Sequence, residues 1–249
     1  AGLAATPAYF ALRAQRLMRE SGVSKQDLAA VVVKNRRHGV HNPDAMFRGE
    51  VRAEEVLASR VVCEPLHLWM LCSPNEGAAA VVLRRGGDGV RVAAVALRSH
   101  LPGNVLSEGT PLSGLADDDA IPSPTALAAH DAYEAAGVGP DDLDVVECQD
   151  TDAARELLSY EELGLCAPGE QPKLLAEGAT ALGGRLPVNP SGGLLSKGEP
   201  LGASALGQVV ELTRQLRGEC GPRQVPAARV ALAHTVGRGA NAACVILTR

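Results

Sequence analysis

Apolar positions recur at helical spacing along the first forty residues. Between residues 7 and 20 apolar and basic positions alternate at helical intervals, and the pattern stops at Gly22. Ser24 then stands three residues before Asp27, which is a capping-box arrangement for a helix through LAAVVVKNRR. The pattern therefore predicts two consecutive helices, and AEEVLAS predicts a short third one.

β-Branched runs follow in the middle of the chain. GAAAVVLRR (77–85) and VRVAAVALRS (90–99) predict two strands, and the GGDG between them is typical of a boundary between domains. We place the domain boundary there, between residues 1–88 and residues 89–249.

The remainder of the chain alternates between helical and strand patterns. TALAAHDAYEAAG, DAARELLSYEELG and ASALGQVVELTRQLRG predict helices, and LDVVECQD (143–150) predicts a buried strand. ARVALAHTVG and NAACVILTR flank a Gly-rich turn and predict a β-hairpin. Strands that alternate with helices and end in an antiparallel pair predict a layered α/β domain with a mixed sheet.

Composition narrows the class of protein. Aromatic residues make up only 2% of the chain, so the core must consist of Ala, Val and Leu. A net charge of −5 argues against nucleic acid as a partner. No apolar run reaches the roughly 18 residues of a membrane span. The six cysteines show no CxxC spacing, which argues against a zinc site, and we expect a cytoplasmic protein.

Three polar loops are candidates for chemistry: ECQDTD, GGLLSKGEPLG and AHTVGRGAN. Sites in α/β folds form where strand ends and helix N-termini converge, so these loops can meet in space. Their spacing matches neither a P-loop nor GxGxxG. The alternative is that they are only structural turns.

The segment NPSGGLLSKGEPLGASALGQVVELTRQLRGECGPRQVPAARVALAHTVGRGA resembles the C-terminal part of thiolases, in the branch of sterol carrier protein x and bacterial lipid-transfer proteins. VVECQDTDAARELLSYEELGLCAPGE, KNRRHGVHNPDAMF and LCSPNEGAAAVVL resemble other segments of that branch, in the same order. The resemblance implies a thiolase-like α/β fold, with mixed five-stranded sheets in αβαβα layers. Residues 1–88 would be the loop domain and the end of the first half, and residues 89–249 the second half. A coenzyme A thioester would be the substrate, with no permanently bound cofactor.

Departures from the family concern its catalytic positions. No cysteine here matches the nucleophile motif of the first half, so we expect that this segment is absent. Gln149 and Thr151 stand at the family's HDCF loop, and Glu199 replaces the histidine of its GHP loop. His234 is kept, but Thr235 stands where the family has asparagine. We therefore do not expect conventional thiolysis.

Four residues are the catalytic candidates that the resemblance implies: Glu199, Gln149, Asp150 and His234. Glu199 would transfer protons, or would be a carboxylate near a helix N-terminus. Gln149 would donate to an oxyanion. Asp150 is a site group or a cap of the helix that follows it, and His234 is a site imidazole or a core histidine.

Further residues are candidates for substrate binding. The loop positions are Asn189, Gly192, Gly193, Gly198 and Gly237, although turn formation is the ordinary role of Asn189. Arg36 and Arg37 suit the phosphates of coenzyme A, or belong to a solvated loop face.

Two functions remain open. The first is an enzyme of lipid or steroid side-chain metabolism that makes or breaks a C–C bond next to a CoA thioester. The family's aldolases resemble this chain in their QD and GEP loops, although they carry tyrosines that are missing here. The second is a non-catalytic acyl-CoA-binding or lipid-transfer subunit. In either case we expect a homodimer or hetero-oligomer, including a complex with an acyl-CoA-binding OB-fold protein.

Overall fold

The computed structural model describes residues 5–99, 122–237 and 241–249. The helices in these ranges are α1 (Ala5–Ser21), α2 (Lys25–Gly39), α3 (Ala53–Ala58), α4 (Pro124–Ala136), α5 (Ala153–Glu162), α6 (Gln171–Ala176), α7 (Gly193–Lys197) and α8 (Ser204–Arg217). The strands are β1 (Val61–Cys63), β2 (Leu66–His67), β3 (Arg91–Arg98), β4 (Val145–Cys148), β5 (Val230–Gly237) and β6 (Asn241–Thr248). None of these helices is long and apolar enough to cross a membrane.

Among the described residues, the main sheet has four strands in the order β3-β6-β5-β4. β6 pairs antiparallel with both β3 and β5, whereas β4 runs parallel to β5, with Cys148 opposite His234. An isolated parallel bridge between Val146 and Val188 adds a fifth position beyond β4. The predicted mixed sheet and the terminal hairpin are therefore confirmed.

Helices cover both faces of this sheet. α4 packs on β3 and β6, while α8 packs mainly on β5 and β4. Small side chains allow the close approach: Ala128 and Ala132 of α4 are fully buried, and Ala231 of β5 meets Leu212 of α8 in a second apolar cluster. The buried core consists mainly of Ala, Val and Leu, as the scarcity of aromatic residues requires.

The N-terminal helices pack against the second unit. Ser24 accepts a hydrogen bond from the Asp27 N–H (3.2 Å), and the Asp27 carboxylate accepts one from the Ser24 N–H (2.8 Å), so the predicted capping box is confirmed. α2 contacts α5 and α7, which lie beyond the boundary that we place at residue 88. That boundary stays a prediction.

The strand predicted over residues 77–85 is wrong. This segment has no regular secondary structure, and the side chains of Val82 and Leu83 are 97% and 76% exposed. A strand requires hydrogen bonds to a neighbouring strand, which a β-branched composition alone does not supply. The pattern also missed the short elements β1, β2, α6 and α7, because so few residues show no clear period.

Candidate functional site

Glu199 lies where three loops meet. The Cys72 thiol donates to Glu199 Oε2 (3.2 Å), and Gln149 Nε2 donates to Glu199 Oε1 (3.3 Å). The Glu199 backbone N–H donates to the Ser73 carbonyl oxygen (2.8 Å). The half-buried carboxylate is therefore held by donors from two segments that are distant in sequence.

Gln149 is itself fixed in orientation. Its Oε1 atom accepts hydrogen bonds from the Val236 N–H (2.9 Å) and from the Thr235 hydroxyl. Because β4 and β5 are parallel neighbours, their carboxyl ends bring Gln149 and Thr235 to the same edge. Two of the three candidate loops thus meet at Gln149, and the third meets them at Glu199.

Cys72 is the contact that sequence reasoning missed. Burial raises the pKa of this thiol, and the charge of Glu199 raises it further, so Cys72 stays a protonated donor. The Cys72 N–H also donates to the Thr151 carbonyl oxygen (2.9 Å), which joins the Cys72 and Gln149 loops. No local pattern distinguishes this cysteine; only its place in LCSPNEGAAAVVL within the family resemblance could have indicated it.

Asp150 caps a helix, but not the helix that follows it. Its carboxylate accepts hydrogen bonds from the N–H groups of Leu194 (2.6 Å) and Leu195 (3.2 Å), at the start of α7. α5 is capped by Asp152, which accepts from the Arg155 N–H (3.0 Å). Burial, and then the charge of Glu156, hold the pKa of Asp150 well above its ordinary value.

Asn189 ties the end of β4 to a buried carboxylate. Its Oδ1 atom accepts from the Cys148 N–H (2.9 Å), and its Nδ2 donates to Glu156 Oε2 (2.8 Å). Burial alone would raise the pKa of Glu156, but Lys34, at 2.7 Å, and the hydrogen bonds outweigh it, so this pKa is lowered. Asn189 therefore links its own loop to the end of β4 and to the buried Glu156 of α5.

His234 does not lie with Glu199. Its side chain points to the opposite face of the sheet from that of Thr235, because neighbouring residues of a strand alternate. The ring is fully buried, with Nε2 3.1 Å from Thr125 Oγ1. Burial lowers the pKa of His234 well below its ordinary value, so the structure favours the core-histidine alternative.

The predicted basic residues do not form one surface. Arg36 is buried with its guanidinium 3.9 Å from the centre of the Phe47 ring, and burial lowers its pKa to about 10. Arg37 is exposed, 3.7 Å from Glu50. Contact of either arginine with a phosphate stays a prediction.

The candidate glycines permit close packing of the loops. Gly192 (φ 93°) precedes α7, and a Cβ there would lie 2.8 Å from the Cα atom of Gly39 in α2. Gly198 (φ 83°) ends α7, where a Cβ would lie 2.6 Å from the Asn75 side chain. Gly237 ends β5 opposite Asn241. Binding of substrate by these positions stays a prediction.

A cavity of about 460 Å³ lies beside the Glu199 loop. Its walls come from the loop after α2, residues 75–80, the end of α7 and the first turns of α8. Gly198 and Pro200, the neighbours of Glu199, both line it, as does Lys197, whose Nζ is 3.3 Å from Glu147. Within the described ranges no group of His, Cys, Asp or Glu side chains is arranged to hold a metal ion.

The mixed sheet with helices on both faces, and the polar loops that converge at its edge, define a thiolase-like protein. Residues 112–249 match the family described as "Thiolase C-terminal domain-like", and the chain belongs to this family.

Individual relatives share much of the sequence. The chain is 42% identical over 234 residues to the benzoylsuccinyl-CoA thiolase subunit BbsB of Thauera aromatica, which covers 94% of this chain and 60% of BbsB. It is 37% identical over 242 residues to sterol carrier protein 2 of Bos taurus, covering 94% of this chain and 44% of that protein. The chain thus spans less than two thirds of the length of these relatives.

Solved structures show the same fold. The "Ltp2-ChsH2(DUF35) aldolase" superposes with a TM-score of 0.80 and 26% identity, covering 96% of this chain and 62% of that chain. A monomeric SCP2-thiolase-like protein from Mycobacterium smegmatis superposes with a TM-score of 0.65 and 16% identity, over 99% of this chain and 52% of that chain, which supports the fold alone.

Proposed function

We propose that this chain processes acyl thioesters of coenzyme A, and that it makes or breaks a C–C bond next to the thioester with Glu199 as the proton-transfer group. The observation that carries the proposal is the half-buried Glu199 carboxylate, which Cys72 and Gln149 hold by hydrogen bonds and whose chain neighbours, Gly198 and Pro200, line the cavity. A general base must be held in a defined orientation near its substrate, and the hydrogen bonds from Cys72 and Gln149 give Glu199 a defined orientation.

The relatives support this class of reaction. BbsB is named as a thiolase subunit for a CoA thioester, and Ltp2-ChsH2 is named as an aldolase. Both reactions change a C–C bond, and both require a proton to move at a carbon or oxygen atom near the carbonyl. Substrates from lipids or steroid side chains fit the sterol carrier relatives.

Cleavage of a 3-hydroxyacyl thioester illustrates the role of Glu199. The carboxylate takes the proton of the 3-hydroxyl group, and the electrons of the C2–C3 bond move to C2. The resulting thioester enolate takes a proton at C2, which leaves a carbonyl compound and a shorter thioester. The second N–H of Gln149 Nε2 is a candidate donor to the enolate oxygen, and the reverse sequence forms the bond.

We further propose that the chain works in a homodimer or hetero-oligomer, with an OB-fold acyl-CoA-binding chain as one candidate partner. BbsB is named as a subunit, and the aldolase name joins two components. Val82 and Leu83 are highly exposed, and a second chain would cover them.

The test uses the full native assembly with a panel of 3-hydroxyacyl-CoA and 3-oxoacyl-CoA substrates. Glu199→Gln keeps the shape and removes the titrating group, so we expect kcat to fall roughly 10²- to 10⁴-fold while acyl-CoA affinity changes little. Glu177→Gln, an exposed carboxylate after α6, is the matched control and should keep wild-type turnover.

Unchanged turnover in Glu199→Gln would reduce Glu199 to a structural group. Absence of turnover in the wild-type assembly, with acyl-CoA binding retained, would instead support the non-catalytic lipid-binding alternative.

A further inference from the structure

Asp150 binds a helix that begins more than forty residues later in the chain. Its carboxylate is fully buried and accepts from the N–H groups of Leu194 and Leu195, at 2.6 and 3.2 Å. A third donor is Asn35 Nδ2, at 2.9 Å, which comes from α2. One side chain therefore joins the end of β4, α2 and the start of α7.

Glycine at position 193 is what allows this approach. A Cβ atom at Gly193 would lie 2.1 Å from Asp150 Oδ2, and the backbone there has a positive φ of 60°. Any side chain at this position would push the carboxylate away from the N–H groups of α7. The cap and the glycine thus require each other.

α7 is also held on its other side. The Ser196 hydroxyl donates to the Asn35 carbonyl oxygen, and the Ser196 carbonyl oxygen accepts from the Phe47 N–H, both at 2.9 Å. The helix ends at Gly198, whose N–H donates to the Leu194 carbonyl oxygen (2.9 Å), and Glu199 follows directly. The position of Glu199 therefore depends on the position of one short, buried helix.

We propose that Asp150 is a positioning residue that fixes α7 and, through α7, sets the Glu199 carboxylate against Cys72 and Gln149. This inference rests on the proposed function for its effect on turnover. Two consecutive residues then control Glu199: Gln149 binds its side chain directly, and Asp150 holds the helix that carries it.

The first test separates positioning from stability in the full assembly. In Asp150→Ala we expect kcat per folded protein to fall about tenfold or more with a smaller change in KM, because residues 75–80 and α8 supply most of the cavity wall and do not contact Asp150. Asp150→Asn keeps one acceptor oxygen for α7 and should give an intermediate kcat, which also covers failure of the alanine variant to fold. Ser123→Ala removes the cap of α4, where Ser123 accepts from the Ala126 N–H, and should keep kcat.

The second test needs no substrate and uses Cys72 as a reporter. The Glu199 charge contributes to the raised pKa of Cys72, so displacement of Glu199 should speed alkylation of Cys72 by iodoacetamide. We expect about a 3- to 10-fold faster reaction in Asp150→Ala and in Glu199→Gln, since one pKa unit changes the thiolate population about tenfold. Ser123→Ala should match wild type, with the modified cysteine identified by mass spectrometry.

The outcomes are distinguishable. Wild-type kcat and wild-type Cys72 alkylation in folded Asp150→Asn and Asp150→Ala would overturn the positioning role and leave a cap that acts on stability alone. Faster alkylation in an assembly that turns over no substrate would keep the positioning role and reject the proposed function.

Discussion

At the scale of single residues, hydrogen-bond partners determine the protonation state of a buried polar group in this protein. His38 is an example, because its Nδ1 lies 2.9 Å from the Asn189 carbonyl oxygen and its Nε2 accepts from the Leu182 N–H (3.0 Å). This pairing requires a neutral ring with the proton on Nδ1. Burial, with the charge of Lys34, lowers the pKa of His38 to about 3.

We predict that acid destabilises the fold through His38. Its pKa lies below the ordinary 6.5, so below that pH the unfolded chain binds a proton that the folded chain does not, and stability falls as the pH drops from about 6.5 towards 3. One proton corresponds to about 1.4 kcal/mol per pH unit. Urea unfolding between pH 7 and pH 5 should therefore show a shallower pH dependence in His38→Gln.

His130, which is exposed on α4, supplies the control for this prediction. His130→Gln should keep the pH dependence of the wild type. An unchanged slope in His38→Gln would show that His38 does not carry the acid sensitivity.

At the scale of elements, close packing of α2 on α7 determines where the Glu199 loop lies. Gly39, the last residue of α2, faces Ser196 of α7, and a Cβ at Gly39 would lie 2.7 Å from the Ser196 Cβ. The same helix pair shares the hydrogen bond from the Ser196 hydroxyl to Asn35. α2 and α7 can approach this closely only because Gly39 has no side chain at the point where the two helices contact each other.

We predict opposite effects of alanine at two helical glycines. Gly39→Ala should destabilise the fold by about 1–3 kcal/mol, because the added methyl group forces α2 and α7 apart. Gly207→Ala, in α8, meets nothing within 4 Å and should stabilise the fold by about 0.5–1 kcal/mol, because alanine loses less backbone entropy. Urea unfolding measures both, and equal effects at the two sites would contradict the packing argument.

At the scale of the whole molecule, the exposed aliphatic residues are the main unexplained feature of the surface. Val82 and Leu83 stand in a segment without regular structure, and Val95 and Leu97 of β3 are 65% and 68% exposed. Val82 and Leu83 are adjacent, and contiguous apolar surface that is exposed to water is typical of an interface.

We predict that this surface mediates association with another chain. Val82→Asp combined with Leu83→Asp should weaken self-association or assembly with a partner at least about tenfold, since each buried aliphatic side chain contributes about 1.5–3 kcal/mol. Light scattering at micromolar concentration measures the change. Met46→Asp, at a side chain that is 52% exposed, is the control and should associate as the wild type does. A wild-type protein that stays monomeric, alone and with its partner, would contradict the prediction.

Local patterns were sufficient for most elements of the fold. The capping box at Ser24 and Asp27, the terminal hairpin and the long amphipathic helices all depend on neighbours within a few residues, so the sequence alone determines them. The position of the polar segments after predicted strands and before predicted helices indicated the three loops, and the family resemblance indicated Glu199. These features can be predicted from the sequence because helix caps, turns and hydrophobic periodicity depend on residues that are close together in the chain.

Only the tertiary structure decided which groups meet. Asp152 directly precedes α5 and caps it, which its local position indicates, whereas Asp150 caps α7 across 44 residues, which no local pattern indicates. The contact between Cys72 and Glu199 spans 127 residues. Strand formation at 77–85 likewise depended on a neighbouring strand that the described residues do not provide. Such contacts arise from the packing of distant elements, whose geometry depends on the whole chain and leaves no periodic signal in any one segment.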